Sequence, residues 1–207
     1  MKRSVFKPTL SLLITALHFS FSIAARPTTP NSFIIASCKP TSYPAVCIES
    51  LSGYAPAIRR SPRLLTRAAL LLSATRARET FAYISTLSSR PPHGASVHSA
   101  PGALQDCSTT MSDSADNLQR SMQQLRHLGR PNGPSFTMRL ENVQTWLSAA
   151  LTDQSMCLMS LLQEESLATE NGRRGANNRL HWVTRKKVVE VSRVTSNALA
   201  LVNELAW

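Results

Sequence analysis

Four stretches of this 207-residue chain repeat apolar side chains every three or four positions, the spacing that gathers them on one side of an α-helix. The most regular contains Leu104, Cys107, Met111, Ala115, Leu118, Met122 and Leu125, with steps of 3, 4, 4, 3, 4 and 3. Another contains Phe136, Leu140, Val143, Leu147, Ala150, Cys157 and Leu161. A third, starting after "RKK", contains Val188, Val191, Val194, Ala198, Leu201 and Leu205. Nearer the start, Leu64, Leu65, Ala68, Leu71, Leu72, Thr75, Phe81, Ile84 and Leu87 keep mostly the same spacing. Ser61 before Pro62 reads as an N-cap followed by proline at the first helical position, where no backbone N–H is needed.

Polar, Pro- and Gly-containing breaks separate the stripes: "SSRPPHGASVHSAPG", "GRPNGP" and "ATENGRRGANNR". Four long amphipathic helices with connections of moderate length bury their apolar stripes most simply as an all-α, antiparallel, up-down-up-down four-helix bundle over residues 61–207.

The cysteines bear on this arrangement. Cys107 and Cys157 are each 25 residues from Asn132, in the centre of "RPNGP". In an antiparallel helical hairpin, positions equidistant from the turn come side by side, because both arms rise about 1.5 Å per residue. A Cys107–Cys157 disulfide is therefore natural and adds about 3–4 kcal/mol by restricting the unfolded chain. Cys38 is left to pair with Cys47 across "SCKPTSYPAVC". That spacing is too wide for a metal knuckle or a redox pair. Pro40 and Pro44 interrupt helix between the two cysteines. Residues 33–58 thus read as a small helical hairpin ahead of the bundle, clipped by Cys38–Cys47 and held by docked Phe33, Ile35 and Tyr43.

The first residues change the compartment. Lys2, Arg3 and Lys7 precede an apolar run from Leu10 to Ile23, and small residues follow at Ser22 to Ala25. This predicts a signal peptide at residues 1–25, with a retained anchor or an unprocessed start as alternatives. The mature chain, residues 26–207, then has no membrane span and enters an oxidising, extracellular compartment where four cysteines pair. Its roughly 180 residues suit one domain with its own core.

Composition adds two points. Seven glycines and 6% aromatics favour helices over sheet. Losing the leader lowers the formal charge from +11 to +8, which suggests an acidic partner, although the arginines between Arg59 and Arg78 are spread out and suit an ordinary solvated face.

No catalytic apparatus stands out. His93, His98, His127 and His181 have no second ligand at metal-binding spacing, and neither a phosphate loop nor G-x-S-x-G is present. Asp106, Asp113 and Asp116 read as a solvated helical face rather than an acid/base pair, as do Glu164 and Glu165. The expectation is a non-enzyme without cofactor or metal.

Four blocks, "SCKPTSYPAVCIESLSGYA", "ALQDCSTTMSDSADNLQRSMQQL", "NVQTWLSAALTDQSMC" and "VTSNALALVNELA", resemble the signatures of plant pectin methylesterase and invertase inhibitors, in order and across nearly the whole mature chain. The resemblance implies a secreted cell-wall protein, a bundle with an N-terminal hairpin, and disulfides paired first-to-second and third-to-fourth. It also implies steric inhibition, with the polar faces of the middle helices laid over the enzyme's pectin-binding cleft in a one-to-one complex. "FTMRLENVQTWLSAALTD" is closer to the pectin methylesterase branch than to the invertase branch, whose Pro-Lys-Phe motif is matched only partly by Pro134-Ser135-Phe136. Phe136 reads as the first core residue of its helix.

By position, Asp113 and Asp116 match the family's acidic contacts. Thr109, Met156 and Met159 stand where Glu, Thr and Asp are usual, so three polar contacts are altered. The alternatives are an acid invertase as the target, or a basic apoplastic bundle that binds acidic pectin without inhibiting an enzyme. A detached pro-region of a larger esterase is also conceivable. Nucleic acid is a poor partner for a secreted chain lacking a basic–aromatic motif.

Overall fold

The computed structural model describes residues 30–89, 102–131, 133–170 and 177–206. The leader expected at residues 1–25 lies outside the described residues, as do His93, His98 and Asn132. Among these described residues seven helices follow in order: α1 (Pro30–Cys38), α2 (Pro44–Ser52), α3 (Ala55–Ile58), α4 (Pro62–Ser88), α5 (Gly102–Arg126), α6 (Phe136–Glu170) and α7 (Asn177–Asn203), with a 3₁₀ turn at Glu204–Ala206.

Helices α4 to α7 form the bundle, and bonds between helices fix its topology. Arg78 reaches Gln119 and Ser85 reaches Ser108, joining α4 to α5. Ser114 bonds the Ala150 carbonyl and Ser121 that of Val143, joining α5 to α6. Gln154 meets Thr195 and Glu165 meets Arg185, joining α6 to α7. Thr66 bonds the Leu201 carbonyl and Arg76 pairs with Glu190, closing α7 back onto α4. In every pair one residue number rises as the other falls, so each helix runs against its neighbour. This is the expected up-down-up-down bundle.

The stripes of α5 and α6 are buried as read: Leu104, Met111, Leu118, Leu140, Val143 and Leu147 all lie in the core. On α4 the stripe is displaced. Leu64 and Leu71 are exposed, and the buried row is Leu65, Ala69, Leu70, Ser73, Ala74, Ala77, Thr80 and Ile84. The small side chains of that row let neighbouring helices approach, and hydropathy alone undervalues them. Helix α7 also starts earlier than its apolar pattern, at Asn177, because buried His181 and Thr184 carry its inner face before Val188 does. Ser61 caps α4 as expected, accepting the Leu64 N–H at 3.4 Å with Pro62 behind it.

The N-terminal hairpin is α1 and α2, closed by Cys38–Cys47 with Cα atoms 5.6 Å apart. Thr41 is buried between them and donates to the Cys38 carbonyl at 2.7 Å. The expected anchors need correction. Ile34 fills the core while Ile35 is 51% exposed, since adjacent helical positions point about 100° apart. Tyr43 docks through its backbone instead: its N–H donates to Asn197 Oδ1 and its carbonyl accepts from Asn197 Nδ2, both at 2.9 Å. Phe33 packs partly against the core. Arg59 and Arg60, at φ 49° and 61°, turn the chain through left-handed backbone from α3 into α4.

Candidate functional site

Helices α5 and α6 make an unusually close pair. A serine hydroxyl on one helix reaches a backbone carbonyl on the other only when the two backbones nearly touch. Ser114 does so at 3.1 Å and Ser121 at 3.4 Å. Cys107–Cys157 staples the same pair, with Cα atoms 4.2 Å apart. Their solvent faces therefore form one continuous, braced surface.

All five residues singled out as partner contacts lie in the open on these two helices. Asp113 and Asp116 are exposed on α5, as is Asp106. Thr109 is exposed, with its hydroxyl turned back to the Gln105 carbonyl of its own helix at 3.2 Å. Met156 is 52% exposed and Met159 68% exposed on α6. The α5–α6 register, set by Cys107 opposite Cys157, brings Thr109 level with Met156, with Met159 about one turn further along, level with Gln105. Asp113 comes level with Asp153 in the same way. Burial pushes the Asp153 carboxyl above its usual value; the hydrogen bond from Asn117 at 2.9 Å pulls it back down, and the nearby Asp113 charge adds a smaller push upward.

Three other polar groups were illegible as functional or structural pairs in the sequence. Gln154, fully buried on α6, donates to Ser114 at 2.9 Å and to Thr195 at 3.2 Å, tying three helices together. Glu164 accepts from the Ala103 N–H at 3.1 Å and so caps the first turn of α5 from a neighbouring helix; its other oxygen lies 3.8 Å from Nε2 of His181, which is only 3% exposed. Glu165 pairs with Arg185 at 2.8 Å. Glu164 and Glu165 are thus half-buried links between helices, a correction to their reading as a solvated face. Phe136 opens α6 as a buried core residue beneath the Arg63 guanidinium, 5.7 Å from ring centre, so it is not presented to a partner.

Charge divides the bundle lengthwise. Within their printed bounds, the neighbouring α4 and α7 carry nine lysines and arginines against two carboxylates, a net +7. The neighbouring α5 and α6 carry eight carboxylates against three arginines, a net −5. Among the described residues no group of three His, Cys, Asp or Glu side chains is placed to hold a metal ion, and no helix is long and apolar enough to cross a membrane.

Comparison with known proteins places these features in context. Residues 32–201 match the model of a family described as plant invertase/pectin methylesterase inhibitor. The chain is 36% identical to the "21 kDa protein" of Daucus carota, over 95% of both chains. It is 34% identical to Pectinesterase inhibitor 9 of Arabidopsis thaliana, over 100% of this chain and 95% of that one. In three dimensions it resembles the crystal structure of a mutant form of a pectin methylesterase inhibitor from Arabidopsis, with a TM-score of 0.56 and 15% identity over 80% of this chain and 92% of that one, which supports the fold.

Proposed function

Because the chain belongs to the plant invertase/pectin methylesterase inhibitor family, on its pectin methylesterase side, we propose that it acts as a secreted inhibitor that lays the α5–α6 face over the pectin-binding cleft of a pectin methylesterase in a one-to-one complex. In this reading residues 1–25 are a leader removed on export and residues 26–207 form the inhibitor domain. The chain acts by obstruction and performs no chemistry of its own.

The observation that carries the reading is the stapled α5–α6 surface, which exposes Asp113 and Asp116 on α5 and Met156 and Met159 on α6. A braced face loses little conformational entropy on association, so more of its contact energy remains as affinity. Methionines are flexible and polarisable, and they fit irregular surfaces well. At Met156 and Met159 they supply apolar anchoring in place of the polar contacts usual there, and water-filled gaps beside a polar target are then avoided by side-chain adjustment. Asp113 and Asp116 supply charge that steers and orients a cationic cleft edge.

The test is a titration of a plant pectin methylesterase by the oxidised protein, beside an acid invertase. Stoichiometric loss of esterase activity is expected, weakened at least about tenfold by Met156→Ala with Met159→Ala and by Asp113→Ala with Asp116→Ala. Invertase inhibition alone would reverse the choice of target. Unchanged potency in both double variants would move the contact off this face.

A further inference from the structure

The opposite side of the bundle is the part that esterase obstruction leaves unused. On α7, Arg179, Trp182, Lys186 and Arg193 follow one another at intervals of three, four and seven residues, so they project along one solvent-facing stripe about 20 Å long. Trp182 is 58% exposed, an uncommon setting for an indole, and the Lys186 ammonium sits 5.6 Å from its ring centre. Arg193 lies 5.5 Å from the Tyr43 ring, and Lys187, leaning toward α4, lies 5.0 Å from Tyr83. Among the described residues no ion pair engages Arg179, Lys186 or Arg193, whereas Glu190, the single carboxylate on α7, is neutralised by Arg76. Trp182, Arg185, Lys186, Val189, Glu190 and Arg193 together line a shallow depression along the helix.

We propose that this α7 face is a second binding surface, and that its ligand is an acidic polysaccharide, a polyuronate chain lying along the helix. Arg179, Lys186 and Arg193, about 10 Å apart along the helix, pair with carboxylates spaced along the polymer, and the Trp182 indole stacks on the apolar C–H face of a sugar ring. Lys186 joins the two interactions, because it already holds the indole. An exposed flat aromatic among unpaired cations fits a polymer that offers both carboxylates and apolar ring faces. A duplex phosphate backbone makes use of the cations alone, and a lipid layer, which takes an indole at its interface, is told apart by the vesicle arm of the test.

The charge and the indole carry the proposal without reference to the esterase. The choice of a uronate polymer rests on the esterase reading, since removing methyl esters from such a polymer uncovers carboxylates. The α7 face and the α5–α6 face belong to different halves of the bundle, so one molecule can hold both ligands. Binding to the polymer is dominated by charge and weakens with salt.

Affinity electrophoresis of the oxidised, full-length protein through gels containing polygalacturonate tests this, with fully methyl-esterified pectin, anionic phospholipid vesicles and duplex DNA as parallel probes. Retardation by polygalacturonate is expected, with little by the esterified polymer. Lys186→Glu with Arg193→Glu should weaken retention at least about tenfold, and Trp182→Ala should weaken it by several-fold, each with unchanged helical circular dichroism. Equal retention of parent and Lys186→Glu/Arg193→Glu overturns the surface. Equal binding to DNA or vesicles, or no effect of Trp182→Ala on retention by polygalacturonate, overturns the sugar assignment. Esterase titration with Lys186→Glu/Arg193→Glu should match the parent. A parent that binds polygalacturonate but does not inhibit the esterase overturns the inhibitor reading and leaves this surface standing.

Discussion

Asn197 and Tyr43, 154 residues apart, exchange two hydrogen bonds of 2.9 Å each, the Asn197 amide accepting the Tyr43 N–H and donating to its carbonyl. One buried side chain thereby ties the hairpin turn to α7: it is the acceptor for the Tyr43 N–H, which no helix serves, and a second donor to the Tyr43 carbonyl, which also accepts the Cys47 N–H as the first bond of α2. Asn197→Ala leaves the Tyr43 N–H without its acceptor, while the Tyr43 carbonyl keeps the Cys47 N–H at 3.0 Å. The expected cost is about 1–3 kcal/mol, concentrated in opening of the hairpin. Hydrogen exchange at the Tyr43 and Cys47 amides should accelerate accordingly, and Asn197→Asp should restore part of the protection because it keeps the acceptor.

The two disulfides should differ in weight. Cys107–Cys157 closes a separation of 50 residues and Cys38–Cys47 one of 9. Chain entropy assigns about 4 kcal/mol to the first and about 2.5 kcal/mol to the second. Denaturant unfolding of the Cys107→Ala/Cys157→Ala and Cys38→Ala/Cys47→Ala proteins checks the order. A larger loss from the hairpin pair would mean that native docking, not chain entropy, dominates.

Gln154 should behave more as a packing element than as a hydrogen-bonding one. Ser114 keeps the Ala150 carbonyl as acceptor when Gln154 is removed, so the hydroxyl stays satisfied. Gln154→Ala opens a cavity among three helices and should lower stability by about 2–4 kcal/mol. Gln154→Met refills that space and should recover most of the loss in urea unfolding. Equal losses in the two variants would show that the hydrogen bonds matter more.

Asp153 predicts a pH effect of definite sign. Burial raises its folded pKa above the ordinary 3.8, so the folded chain holds this proton more tightly than the unfolded chain does. Its contribution to stability is complete below 3.8, falls as pH rises through the raised folded value, and is level above it. Asp153→Asn removes the titration and still offers an amide oxygen to Asn117. Thermal midpoints measured across this window should show the variant gaining on the parent as pH increases. A difference that shrinks with pH would reverse the assignment.

The bundle was legible in the sequence because α5 and α6 bury large apolar residues at helical spacing, and their cysteines sit equidistant from the turn. The face of α4 was misjudged where small residues, Ala69, Ser73, Ala74 and Ala77, occupy the interior and leucines at 64 and 71 face water. Close helix approach selects for size there, and size leaves no mark in a hydropathy pattern. The start of α7 was hidden for a related reason, since His181 and Thr184 are polar residues facing inward. Gln154, Glu164 and Asn197 could not be identified as ties because their partners are distant along the chain and become neighbours only on folding. Met156 and Met159 were singled out by the family resemblance alone, whereas the positions of Asp113 and Asp116 on an open helix face followed from periodicity. The division of charge between the two helix pairs did not, because it depends on which helices become neighbours.

That division gives the molecule a strong electric moment across its short axis, positive along α4 and α7 and negative along α5 and α6. Near any negatively charged matrix such a body experiences torque before contact, over a range of roughly 10 Å at moderate salt. It rotates until the basic flank faces the matrix and the stapled acidic flank points away. Arrival and aiming then become a single event.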